Sequence, residues 1–208
     1  MKTLLFDFDG TIADSFELVL EITYELTGLQ RQSKEEVARL RHLPLLKAVR
    51  ELHLPVRHMP QLLLQGRQKM LERIDEVHPF PGIPDVLKKL HDSGYHLLVM
   101  SSNGEKNVRT FLRANHLEQY FNGVYGGASL FNKAITLRKV LRRNKLVAAE
   151  CFYIGDEVRD VVAAKRARVK AVAVTWGYQA PKALVDHEPF AVADQPADLL
   201  RIFDSGEV

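Results

Sequence analysis

The chain has 208 residues, of which 46% are hydrophobic and 26% are charged, and its formal net charge is +3. This composition excludes a disordered chain, and the small positive charge does not indicate a nucleic-acid-binding protein. The length suits one α/β domain with an insertion, or two small domains.

Three features indicate the cellular compartment. Cys151 is the single cysteine of the sequence and cannot form an internal disulfide, which favours a reducing environment. The apolar N-terminal stretch is interrupted by Asp7 and Asp9, so it does not resemble a signal peptide. Because no apolar run approaches the ~18 residues of a membrane span, we expect a cytoplasmic protein with no membrane partner.

Short apolar segments alternate with helical patterns along most of the chain. The predicted buried strands are residues 3–8, 96–100, 151–154 and 170–174. The predicted helices are residues 84–91, 106–115, 133–143 and 159–167. This alternation predicts an α/β fold with a doubly wound parallel, Rossmann-like sheet and helices on both faces.

Residues 14–79 interrupt the alternation, because they show helical patterns and no convincing strand. A capping-box pattern begins at Ser33, Pro44 suits the first turn of a second helix, and Pro60 suits the start of a long third helix. We therefore predict an all-helical cap domain inserted into a Rossmann-like catalytic core. The predicted core is residues 1–13 and 80–208, and the predicted cap is residues 14–79.

Two aspartates follow the first predicted strand within the sequence FDFDGT. Alternation along an extended chain places the carboxylates of Asp7 and Asp9 on one face, about 6 to 7 Å apart, and the phenylalanines on the core face. Such a pair suits a nucleophile and a general acid/base. Gly10 permits a tight turn that leaves backbone N–H groups near the carboxylates.

Asp7 to Thr11 resembles the Asp-x-Asp-Gly-Thr signature of the haloacid dehalogenase superfamily, whose phosphatases carry it at the end of the first strand. The second family motif is a hydroxyl residue at the end of an apolar strand, which corresponds to Ser101 here, with Ser102 as the competing assignment. The third is a lysine at a helix start, which corresponds to Lys133. The resemblance implies a phosphate-binding set of Gly10, Thr11, Ser101, Ser102, Asn103 and Lys133.

The fourth family motif, Gly-Asp-x-x-x-Asp, matches residues 155–160 after the third predicted strand. It implies that Asp156 binds a metal ion and that Asp160 supports the metal or Lys133 from a second layer of contacts. Glu157 and Arg159, which lie between these aspartates, are interpreted as an exposed acid and a salt-bridging helix residue, without a role in the site.

Because each motif follows a predicted parallel strand, the four motifs should meet at the carboxyl edge of the sheet. The resemblance implies Mg²⁺ as the cofactor, held by Asp7, Asp156 and the backbone carbonyl of Asp9, since this cation prefers oxygen ligands. Asp7 is expected to form an aspartyl-phosphate, and Asp9 to protonate the leaving alcohol and then to activate water.

The insert occupies the position of the cap in phosphoglycolate phosphatase-like members of the superfamily, so we expect hydrolysis of a small phosphomonoester, with phosphoglycolate as one candidate. Arg41 and Lys47 are among the basic cap residues that are candidates for substrate contact. Asp9 disfavours a dehalogenase, which lacks the second aspartate. Two alternatives stay open, a hexose-phosphate mutase and a non-catalytic member that binds a phosphorylated ligand or a protein. The oligomeric state is not indicated.

Overall fold

A six-stranded sheet forms the centre of the computed structural model, which describes residues 2–43, 45–54, 58–128 and 132–204. The predicted position of Pro44 lies outside the described residues. In chain order the strands are β1 (Thr3–Phe6), β2 (Ala13–Asp14), β3 (His78–Pro79), β4 (His96–Met100), β5 (Gly123–Tyr125), β6 (Cys151–Gly155), β7 (Lys170–Val174) and β8 (Ala191–Ala193). Among the described residues, none of the helices combines the length and the apolar character that crossing a membrane requires.

The strand order of the large sheet is β5-β4-β1-β6-β7-β8, and all of its neighbouring pairs are parallel. The chain moves outward from β1 to β4 and β5, then returns to β6 on the other side of β1 and continues to β7 and β8. The direction therefore reverses at β1, which is the position where open α/β sheets bind ligands. The prediction of a doubly wound parallel sheet is confirmed.

Both faces of the sheet are buried, which is why its strands are nearly continuous apolar runs. Leu4 and Phe6 of β1 belong to the core on one face, and Leu5 belongs to the core on the other face. Each fully buried side chain of this size contributes about 1.5–3 kcal/mol to stability. The end of β1 is thus held firmly in the middle of the sheet.

The strands differ from the prediction in length and number. β1 ends at Phe6 rather than residue 8, because the carbonyl of Phe8 accepts hydrogen bonds from the N–H groups of Ile12 and Ala13 and the chain turns there. β5 and β8 were not predicted. Each has three residues, with glycine in one and two alanines in the other, so their apolar signal is weak.

Ten α-helices surround and extend the sheet in the described part of the chain. They are α1 (Phe16–Thr27), α2 (Lys34–Leu40), α3 (Leu45–Glu51), α4 (Met59–Glu72), α5 (Ile83–Asp92), α6 (Glu105–Ala114), α7 (Lys133–Arg143), α8 (Val158–Ala167), α9 (Pro181–Val185) and α10 (Pro196–Asp204). Helices α1 to α4 form the insert between β2 and β3.

The insert begins and ends in a short antiparallel ribbon that the sequence patterns did not predict. Ala13 of β2 pairs with Pro79 of β3, and Asp14 pairs with His78. Strands of two residues are too short to produce a recognisable periodicity. Within the insert, Ser33 caps α2 by accepting the N–H of Glu36 at 3.2 Å, and Pro60 lies in the first turn of α4, as predicted.

Candidate active site

Asp7 lies directly beyond β1, where the sheet holds its backbone. Its N–H donates to the carbonyl of Ile154 at 2.8 Å, and its Oδ1 accepts the N–H of Phe8 at 2.8 Å. The residue as a whole is only 2% exposed. Phe6 and Phe8 are fully buried, and Phe8 packs edge to face against Phe111. The prediction that both phenylalanines pack into the core is therefore confirmed.

Lys133 begins α7 and points its ammonium into the same site. Nζ lies 2.5 Å from Oδ2 of Asp7 and also contacts Oδ1 of Asp160, and the side chain is buried. Burial lowers the pKa of Lys133, but the carboxylates of Asp160 and Asp7 raise it by more, so the net pKa lies above its ordinary value. Lys133 therefore stays charged and links the first and fourth motifs.

Three buried carboxylates converge beside this ammonium. Asp7, Asp156 and Asp160 each offer an oxygen within 4.8 Å of the others. Burial raises the pKa of Asp7 to about 7, a rise that Asp160 increases and Lys133 reduces. Burial, together with the charges of Glu157, Asp160 and Asp7, also raises the pKa of Asp156 well above its ordinary value. Packed oxygen donors of this kind suit a divalent cation.

Asp156 is held at both carboxylate oxygens. The hydroxyl of Thr11 donates to Oδ1 at 2.9 Å, and the N–H of Tyr178 donates to Oδ2 at 2.7 Å. Thr11, which we predicted to bind phosphate, therefore contacts a candidate metal ligand. Gly10 has a φ of +76°, and a Cβ there would lie 2.1 Å from Oδ2 of Asp156, so glycine is required at this turn.

Asp9 has different surroundings from Asp7, although the two residues are neighbours in the motif. Its Oδ1 accepts the hydroxyl of Ser15 at 2.9 Å, and its Oδ2 accepts the amide of Asn103 at 3.2 Å. Burial raises the pKa of Asp9, and these two hydrogen bonds lower it, with a net rise. A carboxyl group held in this way is suited to exchanging a proton. Its carboxylate is not part of the three-carboxylate group of the described residues.

The hydroxyl motif lies beside Asp9 at the end of β4. Ser101 is buried, and its Oγ accepts the N–H of Asn103 at 2.9 Å. Ser102 is partly exposed, and its carbonyl accepts a hydrogen bond from Arg67 of α4 at 2.5 Å. Asn103 contacts Asp9, which we had not predicted. The choice between Ser101 and Ser102 as the phosphate-binding hydroxyl stays a prediction.

A cavity of about 360 Å³ extends from Asp9 into the helical insert. Its wall in the insert is mostly apolar and includes Phe16, Leu63 and Met70. Of the two predicted cap contacts, Arg41 lines this cavity, whereas Lys47 is exposed and is not among its described lining residues.

The guanidinium of Arg41 already donates hydrogen bonds to the protein backbone. It donates to the carbonyls of Tyr178 at 2.6 Å and Gly177 at 2.5 Å, and it lies over the ring of Phe16. Arg41 therefore joins the insert to the loop that follows β7.

Sequence reasoning missed the roles of Ser15 and Tyr178. The hydroxyl of Tyr178 lies 2.8 Å from Oγ of Ser15, which in turn donates to Asp9. The two residues are 163 positions apart, so spacing in the sequence contains no signal for this contact. The loop after β7 thus reaches Asp156 through its backbone and Asp9 through Ser15.

We expect Gly177→Ala to disturb this loop strongly. A Cβ at Gly177 would lie 2.2 Å from the carbonyl oxygen of Gly10 and 2.3 Å from Cβ of Asp156, and neither atom is the mobile end of a side chain. Urea denaturation should show a loss of about 1–3 kcal/mol. Gly66→Ala is the control, because its Cβ would meet nothing closer than 3.9 Å and helix propensity predicts a gain of up to about 1 kcal/mol. Equal stability of the two variants would contradict this packing.

Known proteins resemble the chain over nearly its whole length. A phosphoglycolate phosphatase from Synechococcus elongatus is 31% identical over 204 residues, which cover 97% of this chain and 96% of that protein. A phosphoglycolate phosphatase from Aquifex aeolicus is 28% identical over 212 residues, which cover 99% of this chain and 98% of that protein.

Solved structures agree in fold. A haloacid dehalogenase-like family hydrolase from Streptococcus pneumoniae superposes with a TM-score of 0.81 at 23% identity and 98% coverage of both chains. A predicted phosphatase from Clostridium acetobutylicum gives a TM-score of 0.83 at 22% identity, again with 98% coverage of both chains. The model of the haloacid dehalogenase-like hydrolase family matches residues 4–174. The chain therefore belongs to the haloacid dehalogenase-like hydrolases and is a phosphoglycolate phosphatase-like member of that family.

Proposed function

We propose that this hydrolase is a magnesium-dependent phosphatase of a small phosphomonoester and that Asp7 is its nucleophile. The observation that carries the proposal is the contact of the Lys133 ammonium with Asp7 and Asp160 beside Asp156, at the carboxyl edge of the sheet. Phosphoglycolate is the first candidate substrate, because phosphoglycolate phosphatases from two organisms resemble the chain over nearly its full length.

The residues of the cluster fit a hard divalent cation. Their donors are carboxylate oxygens, and the Lys133 ammonium offsets one of the three buried negative charges. Asp7 and Asp156 would be the direct ligands, with the carbonyl of Asp9 as a third, while Asp160 holds Lys133. When bound, Mg²⁺ would supply positive charge that reduces the repulsion between a carboxylate and a phosphate.

Three side chains would carry out the other steps of the reaction. Asp7 would attack phosphorus through a carboxylate oxygen and form an aspartyl-phosphate, while Lys133 stabilises the negative charge that collects on the phosphoryl oxygens. Asp9 would give its proton to the leaving alcohol and then take one from the attacking water. The raised pKa of Asp9, which follows mainly from burial, favours the protonated form required for the first step.

The helical insert is proposed to act as the cap domain, with limits at residues 14 and 79. The proposal is supported by the ribbon of β2 and β3, where the chain enters and leaves the insert, and by the cavity that the insert shares with Asp9. A cap in this position would exclude water and contact the alcohol part of the substrate.

Release of phosphate from a panel of phosphomonoesters, with and without Mg²⁺, tests the proposal. We expect turnover of phosphoglycolate that disappears with a chelator and returns when Mg²⁺ is added. The absence of turnover across the panel would favour a non-catalytic member that binds a phosphorylated ligand or a protein.

Stabilisation by Mg²⁺ should depend on pH. Burial raises the pKa of Asp7 to about 7, so the folded metal-free protein binds more protons than the unfolded chain between about pH 4 and 7, and its stability falls as the pH rises through that range. Mg²⁺ competes with those protons for the same carboxylates. Differential scanning fluorimetry should therefore show a larger increase in Tm on adding Mg²⁺ at pH 8 than at pH 5.5. An increase in Tm that is the same at both pH values would argue against these carboxylates as the Mg²⁺ ligands.

A further inference from the structure

Arg159 lies in the first turn of α8, between the two aspartates of the fourth motif, and one of the three nitrogens of its guanidinium has no hydrogen-bond partner. Nε donates to Oε2 of Glu157 at 2.6 Å, and Nη2 contacts the same carboxylate oxygen. The other terminal nitrogen, Nη1, is buried without a hydrogen-bond partner. No other buried side-chain nitrogen or oxygen in the described residues lacks one.

An unpaired buried donor on a charged group is rare in native proteins, and an acceptor supplied by a bound ligand would explain it. Arg159 lines the cavity together with Asp9 and Asn103, and its side chain is 21% exposed. Burial raises the pKa of Asp9, and Arg159 is among the charges that lower it, so the guanidinium lies within electrostatic range of the proposed acid. Because this cavity extends from Asp9 into the insert, a substrate whose phosphoryl group lay at Asp7 would place its alcohol part in the cavity that Arg159 lines.

The other arginines of the cavity wall already have acceptors from the protein. Arg41 donates to the carbonyls of Gly177 and Tyr178, and Arg67 donates to the carbonyl of Ser102. Arg159 differs because its unpaired nitrogen, Nη1, is buried and has no acceptor from the described residues.

We propose that Nη1 of Arg159 binds a carboxylate on the alcohol part of the substrate and that Arg159 sets the preference for phosphomonoesters with such a second anionic group. The proposal rests on the proposed phosphatase function. A monoanion fits better than a second phosphate, because Glu157 already neutralises part of the guanidinium charge and would repel a dianion more strongly. The fixed planar donors of arginine suit a carboxylate.

The test compares three substrates that differ at one group, namely 2-phosphoglycolate, 2-hydroxyethyl phosphate and ethyl phosphate. For the wild type, kcat/KM for 2-phosphoglycolate should exceed that for the other two by about 10- to 100-fold, the range expected for a charged hydrogen bond. In Arg159→Met the ratio should fall to within about threefold. Arg67→Met is the matched control, since it removes the same charge from the same cavity and should leave the ratio nearly unchanged.

Loss of Arg159 leaves Glu157 without its partner, so the single variant is at risk of misfolding. The double variant Glu157→Gln/Arg159→Met removes both charges and should show the same loss of selectivity in a folded protein, which circular dichroism checks. An unchanged ratio in a folded Arg159 variant, or a ratio that falls in Arg67→Met instead, would overturn the proposal.

A binding measurement tests the role of Arg159 even if the enzyme turns over none of the three substrates. Titration calorimetry with Asp7→Asn should show tighter binding of 2-phosphoglycolate than of ethyl phosphate, and the addition of Arg159→Met should remove that difference. Equal binding of the two compounds to Asp7→Asn, or no binding of either, rejects the role of Arg159. The absence of wild-type turnover alone rejects the phosphatase proposal and leaves the binding result to decide about Arg159.

Discussion

Asp7→Asn should abolish phosphatase activity while the protein stays folded. An amide cannot attack phosphorus as a carboxylate does, and we expect kcat to fall by about 10⁴-fold or more, as it does when a nucleophile is removed from other enzymes. Phosphate release from p-nitrophenyl phosphate and from phosphoglycolate, both with Mg²⁺, measures the loss. A variant with full activity would exclude Asp7 as the nucleophile.

The stability of the same variant separates chemistry from folding. Burial raises the pKa of Asp7 to about 7, so at pH 8 the ionised side chain destabilises the metal-free protein, and the neutral amide removes that cost. Lys133 keeps its contact with Asp160. The Tm of metal-free Asp7→Asn at pH 8 should therefore equal or exceed that of the wild type.

Asp85→Asn is the matched control for Asp7→Asn, because it makes the same chemical change at an exposed position in the first turn of α5. Its activity should stay close to that of the wild type. If Asp7→Asn lost its activity and its Tm also fell strongly, unfolding rather than chemistry would explain the loss.

The signals that led us to expect Asp7, Lys133 and Asp156 near one another are local in the chain. Asp7 and Asp156 follow strongly apolar strands, and the ends of parallel strands meet at one edge of a sheet, so strand periodicity was sufficient to place them together. Lys133 was predicted at a helix start and is the first residue of α7. Each of these predictions depends on a short segment and on the topology of parallel sheets.

The features that were missed depend on contacts between distant segments. Asp9 is held by Ser15 from the start of the insert and by Asn103 from beyond β4, and Tyr178 joins this group from beyond β7. Composition and periodicity do not specify such side-chain contacts. Arg159 was interpreted as a salt-bridging helix residue, and its contact with Glu157 is present, but the sequence contains no sign that Nη1 is left without a partner.

Lys133→Met should cause both the loss of activity and a marked loss of stability. Methionine fills a similar volume but leaves the buried carboxylates of Asp7 and Asp160 without the ammonium that both contact. Removing one partner of a buried ion pair costs about 3–5 kcal/mol, measurable by urea denaturation. Lys139→Met, on the exposed side of the same helix, should change stability by less than about 0.5 kcal/mol.

The pH dependence and a double variant identify the cause of that instability. Lys133 lowers the pKa of Asp7 against the larger effect of burial, so the penalty in Lys133→Met is present where Asp7 is ionised and shrinks as the pH falls and Asp7 binds a proton. The double variant Lys133→Met/Asp160→Asn also removes one carboxylate charge, so it should recover much of the lost stability. It should not recover activity, because no ammonium then faces the phosphoryl oxygens. If Lys133→Met alone kept its kcat, the lysine would be structural, and the proposed stabilisation of phosphoryl transfer would have to come from the cation.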